Sequence, residues 1–143
     1  MKTFTSPFAQ NPRTVYATVT ALTPLTGANS IGSDTPVSVY LGTAGPEGAL
    51  LTRLAATPRA TVSATGLYLF IRKATDPANV RHLKDSELMP AYSLTATTAI
   101  PETTFSNYNE GTPWRLEAGD ELYVGIGVLN ASGIKFSAEL TDF

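Results

Sequence analysis

The chain has 143 residues and a mass of 15.1 kDa, enough for one domain with a single core. Ten basic residues against twelve acidic leave a net charge of −2, Cys is absent and His occurs once. These counts exclude a disulfide framework, a Cys nucleophile and Cys/His zinc clusters, and they provide no basic field for nucleic acid. Hydrophobic residues make up 43%, too many for a disordered chain of such low net charge. Only 15% of residues are charged, so little of the surface is spent on charge.

Residues 1–12 read as an N-terminal arm, followed by one domain over 13–143. Pro7 and Pro12 flank Phe8-Ala9-Gln10-Asn11, and no period is visible. Phe4 and Phe8 predict that the arm docks, either on its own domain or on a neighbour. The opening residues hold no continuous apolar stretch, so no secretory leader is expected, and no apolar run reaches the ~20 residues of a membrane helix.

Arg13–Thr23 alternates Val15, Ala17, Val19 and Ala21 against Thr14, Tyr16, Thr18, Thr20 and Leu22, the period of a half-buried strand. Residues 24–36 have a loop composition and are long enough to carry a contact surface, with Leu25 and Ile31 as its apolar members. Val37–Leu41 and Ala49–Leu54 read as short strands around the turn Gly42–Gly48. Arg59–Thr65 alternates again, with Ala60, Val62 and Ala64 expected inward. Leu67–Ile71 is the most apolar run and predicts a central strand.

Val80–Leu83 reads as a short strand. Asp85-Ser86-Glu87-Leu88-Met89 predicts one helical turn, capped by Asp85 and closed by Pro90. Tyr92–Ala96 is a strand or an irregular edge, and Ile100–Asn109 a loop with a short edge strand. Trp114–Leu116 leads into the turn Ala118-Gly119-Asp120. Glu121–Leu129 is a strand whose Gly125 and Gly127 imply a bulge or a close backbone approach. Asn130–Gly133 predicts a hairpin turn before a last strand, Gly133–Phe143. The sum is an all-β chain, an antiparallel sandwich of about eight strands with very little helix.

Few residues offer chemistry. His82 lies between the cations Arg81 and Lys84 and has no second His to join it. It reads as a surface His. Asp120, with Glu117 and Glu121, forms the sharpest local motif. It reads either as a carboxylate site or as a tight turn in which Gly119 takes a positive φ and Asp120 bonds backbone amides. The spacing lacks the dense acids of a calcium loop. Asp85, Glu87, Glu102 and Glu110 offer no pair selected by spacing for glycoside hydrolysis. Tyr92, Tyr108 and Trp114 lie in predicted loops and are candidate ligand-facing aromatics for a carbohydrate. The competing reading is that Trp114 anchors a loop to the core. No catalytic, metal or cofactor residues are assigned, and no enzyme is expected.

Three stretches together resemble small virion proteins of tailed bacteriophages and prophages. They are Ala49–Leu54 with Pro58-Arg59-Ala60-Thr61-Val62; Leu67-Tyr68-Leu69-Phe70 with Ala91-Tyr92; and Leu116–Val124 with the ending Gly133–Phe143. The likeness spans about residues 13–143 and rests on turn and strand signals. The Leu116-Glu117-Ala118-Gly119-Asp120-Glu121-Leu122-Tyr123-Val124 element is also similar to late strands of jelly-roll domains in trimeric ligand and decoration families. The resemblance implies a jelly-roll-like sandwich that forms a homo-oligomer, a trimer by preference, on a virion. The expected role is capsid decoration and stabilisation, with the major capsid protein as partner and the capsid surface as location after synthesis in the host cytoplasm. No nucleic-acid or membrane partner is expected. Phe4, Phe8, Pro12, Leu25 and Ile31 are then the candidate interface residues. A carbohydrate- or receptor-binding module of a tail or head fibre is the alternative.

Overall fold

A computed structural model describes residues 11–25 and 37–143. Among them it contains strands and turns and no helix. The strands are β1 (Asn11–Val19), β2 (Val39–Thr43), β3 (Ala49–Pro58), β4 (Thr65–Arg72), β5 (His82–Met89), β6 (Thr103–Thr104), β7 (Trp114–Leu116), β8 (Glu121–Ile126) and β9 (Ile134–Asp142). They form two antiparallel sheets. One has five strands in the order β1-β9-β3-β6, with β7 also on β3; the other has four, in the order β2-β8-β4-β5. The expected antiparallel β-sandwich is therefore present, with nine strands.

The pairing is nested. β4 pairs with β5, β3 with β6 and β7, β2 with β8, and β1 with β9. The chain is thus a long antiparallel ribbon folded over on itself. β6 and β7 lie end to end along β3, on Ala55–Ala56 and on Ala49–Leu51 respectively.

Alternation explains which faces meet. Leu67, Leu69 and Ile71 of β4 and Leu122, Val124 and Ile126 of β8 point inward. They face Leu51, Leu54 and Ala56 of β3 and Ile134, Phe136, Ala138 and Leu140 of β9. Phe105 is fully buried in the same core, fixed by its N–H donating to the Leu54 carbonyl at 2.8 Å. β4 is central in its sheet, as its apolar run predicts.

Several expectations are corrected. β1 begins at Asn11, so Pro12 belongs to the sheet, opposite Thr141, and not to an arm. Residues 82–89 form strand β5, not a helical turn. A single turn closes few hydrogen bonds, whereas the neighbouring edge of β4 offers a partner along its length. Of Arg59–Thr65 only Thr65 is in a strand, as the start of β4; the rest contributes one bridge, Val62 to Tyr92, and Ala64 is exposed. Tyr92–Ala96 is likewise irregular beyond that bridge. Asn130–Gly133 is a turn, but it joins strands of opposite sheets and so makes no hairpin.

Candidate interaction surfaces

The Asp120 motif is a structural turn. Gly119 adopts φ 78° and Asp120 is 1% exposed. Its Oδ2 accepts hydrogen bonds from the Glu117 N–H at 2.9 Å and the Lys73 ammonium at 2.8 Å. The bond to Asp120 raises the Lys73 pKa against the opposing effect of burial, with Glu117 adding to the rise. The Glu117 bond closes the β7–β8 turn on itself, Lys73 ties that turn to the end of β4, and the Ala44 N–H donates to the Asp120 carbonyl at 2.8 Å. Among the described residues no group of three acidic or His side chains is arranged to hold a metal.

The other sequence candidates are also tied into the fold. His82 stands 3.3 Å from Asp76 at the surface. Asp85 accepts from Asn107, Glu87 from the Ser106 N–H, and Glu102 pairs with Arg53. Glu110 lies apart from these three, in a groove on the outer face of the five-stranded sheet. The groove consists of two adjoining open depressions of about 260 Å³ each, which share Thr52, Glu110 and Glu139.

The three candidate aromatics are not one platform. Tyr108 is only 6% exposed, so it does not present its ring to solvent. It stacks on Trp114 with centroids 6.0 Å apart, and the Lys84 ammonium sits 4.8 Å from the Trp114 ring centre. Burial, with the nearby Asp85 carboxylate, pushes the Tyr108 pKa well up. Trp114 and Tyr92 are half-buried and pack against the core. Trp114 is not in a loop: it opens β7, opposite Leu51 of β3, and its side chain packs against the core.

Of the candidate interface residues, Phe4, Phe8 and Ile31 lie outside the described residues. Pro12 and Leu25 are exposed. Leu25 is part of an apolar end that the sequence did not reveal. Thr23 is buried between its neighbours: its N–H donates to the Ile126 carbonyl at 2.9 Å, and its Oγ1 accepts from the Ile126 N–H at 3.3 Å. The Asn130 N–H donates to the Thr20 carbonyl at 3.1 Å. These bonds bring residues 20–25 alongside residues 126–130. Leu22, Leu25, Val128 and Leu129 are therefore carried on one end of the sandwich, 47%, 42%, 42% and 70% exposed.

An aromatic row crosses the four-stranded sheet on the side away from the core, and its central members Phe70 and Tyr123 are themselves buried. Register places Tyr40 beside Tyr123, Tyr123 beside Phe70 and Phe70 beside Leu83. Tyr40 and Tyr123 make an edge-to-face pair at 5.7 Å, and the Arg81 guanidinium lies 3.7 Å from the Tyr123 ring centre. Desolvation lowers the Arg81 pKa, opposed by Tyr123 and Glu121; burial raises that of Tyr123, with Glu121 adding to the rise. The sequence signal was available as alternation within β4 and β8, but the join across four strands required the register.

No protein-family model matches the chain, and no curated protein matches it significantly. Function is therefore argued from the surfaces themselves.

Proposed function

We propose that the chain is a structural virion protein of a tailed phage, a capsid decoration protein that oligomerises and bridges capsid subunits. The observation that carries this reading is the apolar end formed by Leu22, Leu25, Val128 and Leu129. A protein with this role adds buried apolar area between subunits and needs no reaction centre. Interface cores are depleted of charge and accept such side chains. Contiguous exposed apolar residues mark contact sites more often than they mark free surface.

The nested strand pairing supports the same reading. Counting β6 and β7 as one interrupted strand, the orders β1-β9-β3-β6/β7 and β2-β8-β4-β5 support a jelly-roll reading of the sandwich as part of this proposal. This agrees with the virion resemblance of the sequence. The main-chain bonds of Thr23 and Asn130 would present the apolar end on a rigid support, so little ordering cost is added on docking. The proposal assigns no catalytic role, and places the protein on the capsid surface with the major capsid protein as partner.

The test is addition of purified protein to capsids that lack it. Co-sedimentation and a higher capsid disruption temperature are expected, both lost in Leu129→Asp and Leu22→Asp while the isolated protein keeps its fold. A folded protein that neither co-sediments nor stabilises the capsid refutes the reading. Saturable binding to a glycan array without capsid binding would favour the receptor-binding alternative.

A further inference from the structure

The two sheets have four edges, and they are unequally protected. On the five-stranded sheet, β6 and β7 are two and three residues long. On the four-stranded sheet, β2 has five residues and a register shift between Tyr40 and Gly42. β5 is longer, but it carries Lys84, Asp85 and Glu87, and its ladder shifts between Leu69 and Phe70. Short strands, bulges and charges are the devices that keep sheet edges from pairing.

β1 has almost none of them. It runs for nine residues in unbroken register with β9. Its one charge, Arg13, is held by Asp142 at 2.8 Å and donates to the Thr43 carbonyl. Pro12 lies within the ladder without an N–H, which is tolerated where the nitrogen faces away from the partner strand. Alternation then directs the main-chain groups of Thr14, Tyr16 and Thr18 away from β9 as well. Among the described residues these groups make no hydrogen bond. Their side chains are exposed on the outer face, Tyr16 at 60%.

The outward sequence reads Thr14, Tyr16, Thr18, which is the same in both directions. We propose that β1 pairs antiparallel with β1 of a second copy, about a two-fold axis at Tyr16. Thr14 then opposes Thr18 of the other copy and Tyr16 opposes Tyr16. Thr–Thr and aromatic–aromatic partners are favourable cross-strand pairs, and no like charges meet. About six main-chain hydrogen bonds would join the two five-stranded sheets into one. Half-buried Val15 and Ala17, on the inner side, become covered at the seam. This pairing closes with two copies and so departs from the threefold state implied by the virion resemblance; it does not depend on the capsid role.

The test uses the whole chain, which lacks Cys. Opposed residues in a hydrogen-bonded antiparallel pair lie about 5.5 Å apart at Cα, within disulfide range. Oxidised Tyr16→Cys is expected to run as a covalent dimer, and Leu88→Cys, equally exposed on the charged β5 edge, is not. Light scattering should give a dimer for the native chain. Tyr16→Lys and Thr14→Pro, which place like charges opposite each other or remove an outward N–H, should each weaken it at least about tenfold, with circular dichroism unchanged. A native monomer, a trimer, or an oligomer that Tyr16→Lys and Thr14→Pro leave intact overturns the proposal. So does equal cross-linking at positions 16 and 88.

Discussion

Gly125 sits where β8 meets the segment that carries the apolar end. A Cβ built on it would lie 2.6 Å from Thr23 Oγ1 and 2.7 Å from both Thr23 Cβ and Cγ2. The Thr23 Cβ is bonded directly to the backbone and cannot swing clear in any rotamer of the side chain. Gly125→Ala must therefore push residues 22–24 off β8. Overpacking of this kind costs about 1–3 kcal/mol, and the two Thr23–Ile126 hydrogen bonds add about 1 kcal/mol each if they break. The expected loss is about 2–4 kcal/mol, a fall in Tm of roughly 3 °C per kcal/mol at this chain length. Urea unfolding followed by Trp114 fluorescence measures it. The double variant Thr23→Gly/Gly125→Ala removes the clashing atoms, so it should be more stable than the sum of its single variants by about 1–2 kcal/mol. A Gly125→Ala cost below about 0.5 kcal/mol, or strict additivity in the double variant, would refute the clasp and with it the rigid presentation of Leu22 and Leu25.

Asp120→Ala removes the buried acceptor of the Glu117 N–H and of Lys73. The Lys73 side chain is 39% exposed, so its share is screened, and the expected total is about 2–3 kcal/mol in the same unfolding assay. Phe105→Ala leaves a cavity under a side chain with no exposure and should cost about 3–5 kcal/mol. Stability should also fall as pH rises above about 10, the ordinary tyrosine and lysine range. Lys73, Tyr108 and Tyr123 all have raised pKa values in the folded state. The unfolded chain therefore loses these protons first, and their contribution, complete below the ordinary values, is lost through the raised ones. Tyrosinate absorbance during alkaline titration should show Tyr108 ionising after ordinary tyrosine, a delay that Tyr108→Phe removes from the titration curve.

Strands with clean alternation were legible. β8 repeats apolar residues at every second position from Leu122 to Ile126 and β9 from Ile134 to Leu140, and the two glycines of Glu121–Leu129 signalled the approach that Thr23 makes. β5 was not legible, because Asp85 and Pro90 look locally like a helix cap and stop. Its partner β4 lies earlier in the chain, and only that pairing gives the segment its extended form. The apolar end was missed for a similar reason. Leu22 and Leu129 each read as one more member of an alternating strand, and nothing local shows that both strands stop short, at Val19 and Ile126.

Sequence by itself determined a charge-poor, all-β chain with turns at Gly48, Gly119 and Gly133, because a period of two and a positive φ are local properties. It also offered the Asp120 turn as one of two readings, and the structure decided between them by placing the Glu117 N–H on the Asp120 carboxylate. Tertiary structure decided which sheet each strand joins, which aromatics are covered, and which edge stays open. Alternation tells a strand that one face is buried but not against what. The edge of a strand shows no sequence signature until its neighbours are in place: β9 takes one side of β1, and among the described residues no strand takes the other.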